Sequence, residues 1–219
     1  FYILYNIFFN RNNLKYHGED LYLLLIFLSF SLIFYLLNNF DLLSVFVSVL
    51  SSIGNSGLST TSIPNNFNLF FLILAICGGS VLSSTSGIKF IRFYILVKAF
   101  LLEIYRLVKP NIILDNKIMF TDKKINKDNI RITFLVFILF FLSLLILSSI
   151  LLIDAFDFES PFKLSILTIT NTTTSNIYGL EGINFSSLLK LSKISLIIFM
   201  IIAKIELLAV FLLIRKFFL

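Results

Sequence analysis

SSIGNSGLSTTSIP, residues Ser51 to Pro64, is a hydroxyl- and glycine-rich island set between two strongly apolar runs. Its surroundings decide how it is read. Of the 219 residues 58% are hydrophobic, 27 are phenylalanine and only 14% are charged, and the mean hydropathy is +0.98. Such a composition lies outside the range of soluble domains and defines an integral membrane chain. The single cysteine, Cys77, excludes an internal disulfide and reads as a small packing residue. The sequence opens at Phe1 inside an apolar run and stops at Leu219 inside another, the pattern expected of a fragment.

Four runs are candidates to cross a hydrocarbon core about 30 Å thick, which takes roughly 20 helical residues. They are Leu21 to Leu37, Leu69 to about Val97, Ile132 to Ile153 and Ile194 to Ile214, with Phe1 to Phe9 as the tail of an earlier helix. Leu42 to Ile53 and Phe162 to Ile169 are too short to span, and each runs into a polar island. Charge decides their topology. The connection from Lys89 to Arg131 carries ten Lys/Arg, whereas Asn38 to Asn68 carries none and Asp154 to Leu189 only Lys163. Basic connections stay inside, so both short segments enter from the outer face and turn back. Arg11, Lys15, Arg215 and Lys216 also fall inside. The net charge of +6 thus marks a cytoplasmic face near anionic lipid and gives no support to nucleic-acid binding.

A shift of 116 positions lays Ser52-Ile53-Gly54-Asn55-Ser56-Gly57 over Thr168-Ile169-Thr170-Asn171-Thr172-Thr173, with Asp41 over Asp157, Ser44 over Ser160 and Phe46 over Phe162. Helix, re-entrant segment, polar island, helix is therefore an order used twice, and internal repeats are common in transport proteins. Irregular backbone at membrane depth survives only where protein buries it or where it lines a cavity, since each unsatisfied peptide group costs several kcal/mol in lipid. Carbonyls of an extended segment after a re-entrant helix can replace the hydration shell of a cation. Glycine permits the positive φ such a segment needs, and Ser/Thr hydroxyls add oxygens. The plain alternative is a pair of glycines closing a turn in an external loop.

With the repeat in place, the chain resembles the Trk/Ktr/HKT superfamily of potassium transporters, specifically the C-terminal half of a TrkH-type subunit. Ser48 to Gly57 with Leu58 is similar to a third selectivity filter. CGGSVLSSTSGIKFIRF, from Cys77, is similar to the family's Gly-Gly-x-x-Gly-Ser-x-x-Gly-Gly-Ile-Lys stretch, a break in the second helix that forms an intramembrane gate. Ile169-Thr170-Asn171-Thr172 follows as a fourth filter, and Ala203-Lys204-Ile205-Glu206 stands where the family has Gly-Arg-x-Glu. The resemblance implies an all-α integral membrane fold with two helix–pore helix–helix repeats of a pseudo-fourfold, potassium-channel-like pore. Residues 1–18 then end a preceding helix and its cytoplasmic connection, 19–110 form the third pore unit with its gate loop at 78–87, 111–131 a cytoplasmic connection, and 132–219 the fourth unit. Departures include Thr173 at a filter glycine, expected to strain a positive-φ backbone, and Leu82 and Ser86 at gate positions where glycine is usual.

The resemblance implies a filter of Gly54, Asn55, Ser56, Gly57, Thr170, Asn171, Thr172 and Thr173, with K⁺ held at Asn55, Ser56, Asn171 and Thr172. It implies a gate of Gly78, Gly79, Ser83, Ser84, Thr85 and Gly87 together with Lys204. Small residues in that stretch equally suit close helix packing. An ionisable Lys204 in an apolar helix costs at least about 2.5 kcal/mol at mid-membrane and marks a functional position. It either sets an electrostatic barrier, donates to the carbonyls of the gate loop, pairs with Glu206 or snorkels to the surface. Asp154, Asp157 and Glu159 stand at the outer mouth, where they concentrate cations or are merely solvated; His17 is a loop residue.

Together these imply multi-pass insertion in the cell inner membrane and potassium uptake, passive or coupled to H⁺ or Na⁺. No covalent chemistry and no cofactor on this chain are implied, K⁺ being the transported ion. The expected partners are the lipid bilayer, a second copy in a homodimer and a cytoplasmic nucleotide-binding, TrkA-like regulatory subunit. The rivals are a subunit that does not separate Na⁺ from K⁺, a non-conducting scaffold, and a polytopic membrane enzyme. The last requires a carboxylate or histidine cluster facing the cytoplasm or the membrane interior, and the sequence offers none.

Overall fold

The computed structural model describes residues 18–37, 42–58, 68–80, 83, 85–109, 125–154, 158–173, 178, 185–186 and 188–205. These form seven α-helices: α1 (Gly18–Leu37), α2 (Leu42–Ile53), α3 (Asn68–Ile76), α4 (Phe90–Val108), α5 (Lys127–Leu151), α6 (Glu159–Thr170) and α7 (Lys190–Ile205). A short 3₁₀ turn, Leu152–Asp154, ends α5. The described residues are all-α, as expected. Ser84, Asp157, Glu206, Leu82, His17, and the basic residues near both ends of the chain lie outside them.

Solvent polarity explains the distribution of side chains. Leu24, Leu28, Leu32 and Leu36 of α1, Phe134, Ile138, Phe141 and Leu145 of α5, and Leu191, Ile194 and Ile201 of α7 are exposed. Hydroxyls occupy the interior instead: Ser44, Ser48, Ser51 and Ser52 of α2 and Ser165, Thr168 and Thr170 of α6 are buried. An apolar surface over an interior that holds hydroxyls beside its apolar core suits a hydrocarbon solvent. Several of these hydroxyls bond within their own helices, Ser48 Oγ donating to Ser44 O at 2.8 Å and Ser52 Oγ to Ser48 O at 2.9 Å. Among the described residues α5 is the one helix long and apolar enough to cross a bilayer, with Leu21–Leu36 a shorter apolar helix. The expected second span is broken: α3 stops at Ile76 and α4 starts only at Phe90.

The packing is two units of one plan. In the first, α1 packs on α2 and α2 on α3; in the second, α5 packs on α6 and α6 on α7. Contacts of α3 with α6 and of α4 with α5 join the units. Phe34 of α1 stacks on Phe71 of α3 with ring centroids 4.9 Å apart. Val49, Leu147, Leu151 and Leu167, each fully buried, tie α2, α5 and α6 into one core. The short helices α2 and α6 have 12 residues each, about 18 Å at 1.5 Å per residue, and so are too short to cross a bilayer.

Candidate functional site

The two short helices end in the same way. Beyond α2, Asn55 N–H donates to Ser52 O and Ser56 N–H to Ser51 O at 3.0 Å; beyond α6, Asn171 N–H donates to Thr168 O and Thr172 N–H to Leu167 O at 2.8 Å. Every partner in one pair is offset by 116 from its counterpart. This 6→1 and 5→2 pairing is a Schellman cap, which needs a left-handed residue just past the helix. Asn55 (φ 49°) and Asn171 (φ 57°) supply it, and they are the only non-glycine residues with positive φ among those described. Asparagine is among the few side chains that tolerate this conformation, which explains its presence twice. Ser52 Oγ on Ser48 O and Thr168 Oγ1 on Leu164 O continue the correspondence one turn earlier.

The equivalence stops at the next position but one. Gly57 has φ 71°, whereas Thr173, its counterpart, does not take a positive φ. The expected backbone strain at Thr173 is therefore absent. A β-branched residue is excluded from that region, so the second turn leaves its helix along a different path from the first.

Between α3 and α4 the chain folds back on itself. Ile88 N–H donates to Ile76 O at 2.9 Å and Phe90 N–H to Gly79 O at 3.3 Å, so the ends of the loop lie side by side. Two glycines make this closure possible. Gly87 has φ +83°, and a Cβ on Gly78 would come within 2.5 Å of Ser86 O. Inside the loop Ser83 Oγ and Thr85 Oγ1 pair at 2.7 Å, and Gly79 N–H donates to Thr85 Oγ1 at 3.1 Å. Lys89 supplies the strongest bonds. Its ammonium group, on a residue only 4% exposed, donates to Ser83 O at 2.6 Å and Thr85 O at 2.8 Å.

That lysine was missed as a site residue. Sequence reasoning counted Lys89 among ten cytoplasmic charges, and held donation to the loop carbonyls as one of four readings of Lys204, beside an electrostatic barrier, a pair with Glu206 and snorkelling. In the fold Lys89 sits against the loop, while Lys204 is exposed. The available signal was the Ile-Lys directly after Gly87, which puts a lysine one residue before α4 and within reach of the turn it follows.

The expected site residues fall into three groups. Thr170 and Thr172 are buried, Asn55, Gly57, Asn171 and Thr173 half-buried, and Gly54 and Ser56 exposed. Gly78 and Gly79 are buried, and Ser83, Thr85 and Gly87 are half-buried in the folded-back loop. The loop and both caps meet at Ser86: Asn55 Nδ2 donates to Ser86 O at 2.7 Å and Asn171 Nδ2 to Ser86 Oγ at 2.7 Å. Side-chain hydroxyls of the turns are turned to protein partners, Ser56 Oγ to Ser51 Oγ at 3.1 Å and Thr172 Oγ1 to Thr170 Oγ1 at 2.8 Å. Tyr178, fully buried, was also missed; its hydroxyl donates to Ser52 Oγ of the first unit at 3.4 Å. No periodicity in the sequence marks a lone tyrosine.

Two of the three acidic residues expected at the outer mouth, Asp154 and Glu159, are engaged in structural bonds. Asp154 Oδ1 accepts the Leu189 N–H at 2.9 Å, ahead of α7. Glu159 pairs with Lys163 one turn along α6 at 2.6 Å, and this hydrogen bond and charge hold its carboxyl below the ordinary carboxylate range.

Fold and site together define an all-α membrane architecture, in which two non-spanning helices end on a loop that interrupts a third helix. The same fold is found in the crystal structure of the potassium transporter TrkH from Vibrio parahaemolyticus, with a TM-score of 0.75 at 18% sequence identity over 91% of this chain. The sequence is also similar to a protein of Methanocaldococcus jannaschii described as an uncharacterized cation transporter, 27% identical over 165 residues and 69% of this chain. The chain spans 44% of the former and 35% of the latter. No family model matches the sequence.

Proposed function

We propose that this chain forms half of a cation conduction path, with potassium uptake as its activity. One observation carries the reading: the C-terminal turns of two repeat-related, non-spanning helices converge on one residue of a loop that breaks the intervening helix. A helix C-terminus carries roughly half a negative charge, so two of them favour a cation beside them. Since the hydroxyls of Ser56 and Thr172 have protein partners, backbone carbonyls of Gly54, Asn55, Ser56 and Gly57, and of Thr170, Asn171, Thr172 and Thr173, are the ligands assigned to the ion. Neutral oxygens hold an alkali ion weakly, as conduction requires. The loop 78–87, fastened by Lys89, is the gate beneath them. Residues 19–110 and 132–219 are the two pore units, inserted as a multi-pass segment of the cell inner membrane. Likeness to a cation transporter and a potassium transporter supports this reading over covalent catalysis. Because the chain spans under half of those relatives, the rest of the path, the homodimer and a nucleotide-binding regulatory subunit belong to the full-length protein.

Thr173 favours a second reading in which sodium also passes, because the two turns diverge where Gly57 is left-handed and Thr173 is not. Flux of K⁺ and of Na⁺ through proteoliposomes holding the full-length protein tests both. Wild type should carry cations, and Thr173→Gly should raise the K⁺/Na⁺ ratio by restoring the missing conformation. Absence of any cation flux from well-folded protein sinks the transport reading, and an unchanged ratio sinks the role of Thr173.

A further inference from the structure

The caps of α2 and α6 explain why asparagine is tolerated at 55 and 171, but they do not use its amide. Glycine would serve the left-handed turn as well. Both amides go instead to the same residue, Ser86, across 31 and 85 positions of sequence, each at 2.7 Å. Asn171 Nδ2 also reaches Met200 O of α7 at 3.4 Å. Ser86 has no slack: it is 4% exposed, it precedes Gly87 at φ +83°, and its carbonyl lies where a Cβ on Gly78 would stand.

We propose that Ser86 is a shared latch between the loop and both helix-terminal turns, with Asn55 and Asn171 as positioning residues that act through it. The inference rests on the reading of turns as filter and loop as gate, and links the two. Ser86 cannot move with an opening loop unless both amides let go, and neither turn can swing its asparagine without releasing the loop. The loop is then one element whose equilibrium both turns bias, which is the physical requirement for coupling.

The two bonds differ chemically, and this makes the latch testable. Asn55 donates to the backbone carbonyl of Ser86, which survives any substitution there; Asn171 donates to the hydroxyl, which Ser86→Ala removes. Substitution of either asparagine by glycine keeps the left-handed cap and deletes only the amide.

Amide hydrogen exchange of the full-length protein in nanodiscs reads both ends of the latch. The loop reporter is Ile88 N–H, bonded to Ile76 O, and the turn reporters are Thr172 N–H and Ser56 N–H. Ser86→Ala should speed exchange about fivefold at Ile88 and at Thr172, the effect of one net hydrogen bond, and leave Ser56 unchanged. Added to Asn171→Gly it should change Ile88 by less than about twofold, because the bond is already gone. Added to Asn55→Gly it should multiply, to about twenty-fivefold in total. Equal effects of Ser86→Ala on Thr172 and Ser56, or multiplicative behaviour with Asn171→Gly, overturns the latch. If Asn171→Gly fails to fold because the contact with Met200 O is lost as well, the Thr172 and Ser56 comparison in Ser86→Ala decides alone. Cation flux measured in parallel judges the transport reading, whose failure leaves the exchange pattern standing.

Discussion

Replacing Lys89 by methionine should free the loop that joins α3 to α4. The side chain keeps its length and apolar stem but loses the ammonium, and with it the bonds to Ser83 O at 2.6 Å and Thr85 O at 2.8 Å. A hydrogen bond to a charged group contributes about 1.5 to 3 kcal/mol, so two contribute roughly 3 to 6 kcal/mol before other terms. Burying the ammonium offsets part of this, since desolvation of an ion in a protein costs several kcal/mol. Methionine escapes that cost yet leaves two carbonyls without their donor, at about 1 to 3 kcal/mol each. A net loosening of about 3 kcal/mol follows, or roughly a hundredfold in the loop's opening equilibrium. Exchange of the Ile88 and Phe90 amides, whose acceptors Ile76 O and Gly79 O close the loop, should accelerate by that order, with a rise in basal cation leak from proteoliposomes. Lys89→Arg should recover part of the protection, its planar fork fitting two carbonyls less well than the compact ammonium. Lys204→Met, at an exposed position, should leave these amides within about twofold of wild type, since no net loop hydrogen bond is lost. Unchanged exchange in Lys89→Met would refute the reasoning, because it would mean that the buried ammonium does not hold the loop.

Further outcomes follow from the same geometry. Gly78→Ala should destabilise the loop more than Gly87→Ala: the first drives a Cβ to 2.5 Å from a backbone oxygen, whereas the second meets Ile76 O at 3.0 Å and strains φ +83°, about 1 to 2 kcal/mol for the strain; thermal unfolding and loop exchange rank them. Tyr178→Phe should cost about 1 kcal/mol through the lost bond to Ser52, while Tyr178→Ala, emptying a fully buried site, should cost about 3 to 5 kcal/mol; chemical denaturation in detergent separates the two. The Glu159 carboxyl, lowered by Lys163, stabilises α6 at pH values above the ordinary carboxylate range, and this contribution is lost as pH falls through the folded-state value. A pH titration of thermal stability should therefore show a small acid-side loss that Glu159→Gln removes.

Much of this protein is legible locally. Hydropathy set against run length separates the long apolar α5 from the short α2 and α6, because solvation in hydrocarbon acts on each segment by itself. The 116-residue repeat placed the two caps in register, because a left-handed turn after a helix constrains the residue that makes it. The glycines at 78, 79 and 87 marked the break between α3 and α4, since backbone conformation is also a local property.

Only the tertiary structure decided who meets whom. Why both asparagines carry an amide and what Tyr178 does depend on groups 31, 85 and 126 positions apart, and the fold showed that the lysine four and six positions from Thr85 and Ser83 folds back onto them. Helical periodicity reports neighbours three or four residues away and nothing beyond. Thr173 shows the converse limit: the sequence placed it opposite Gly57, but the backbone had a choice between strain and a different path, and it took the path that a β-branched side chain allows.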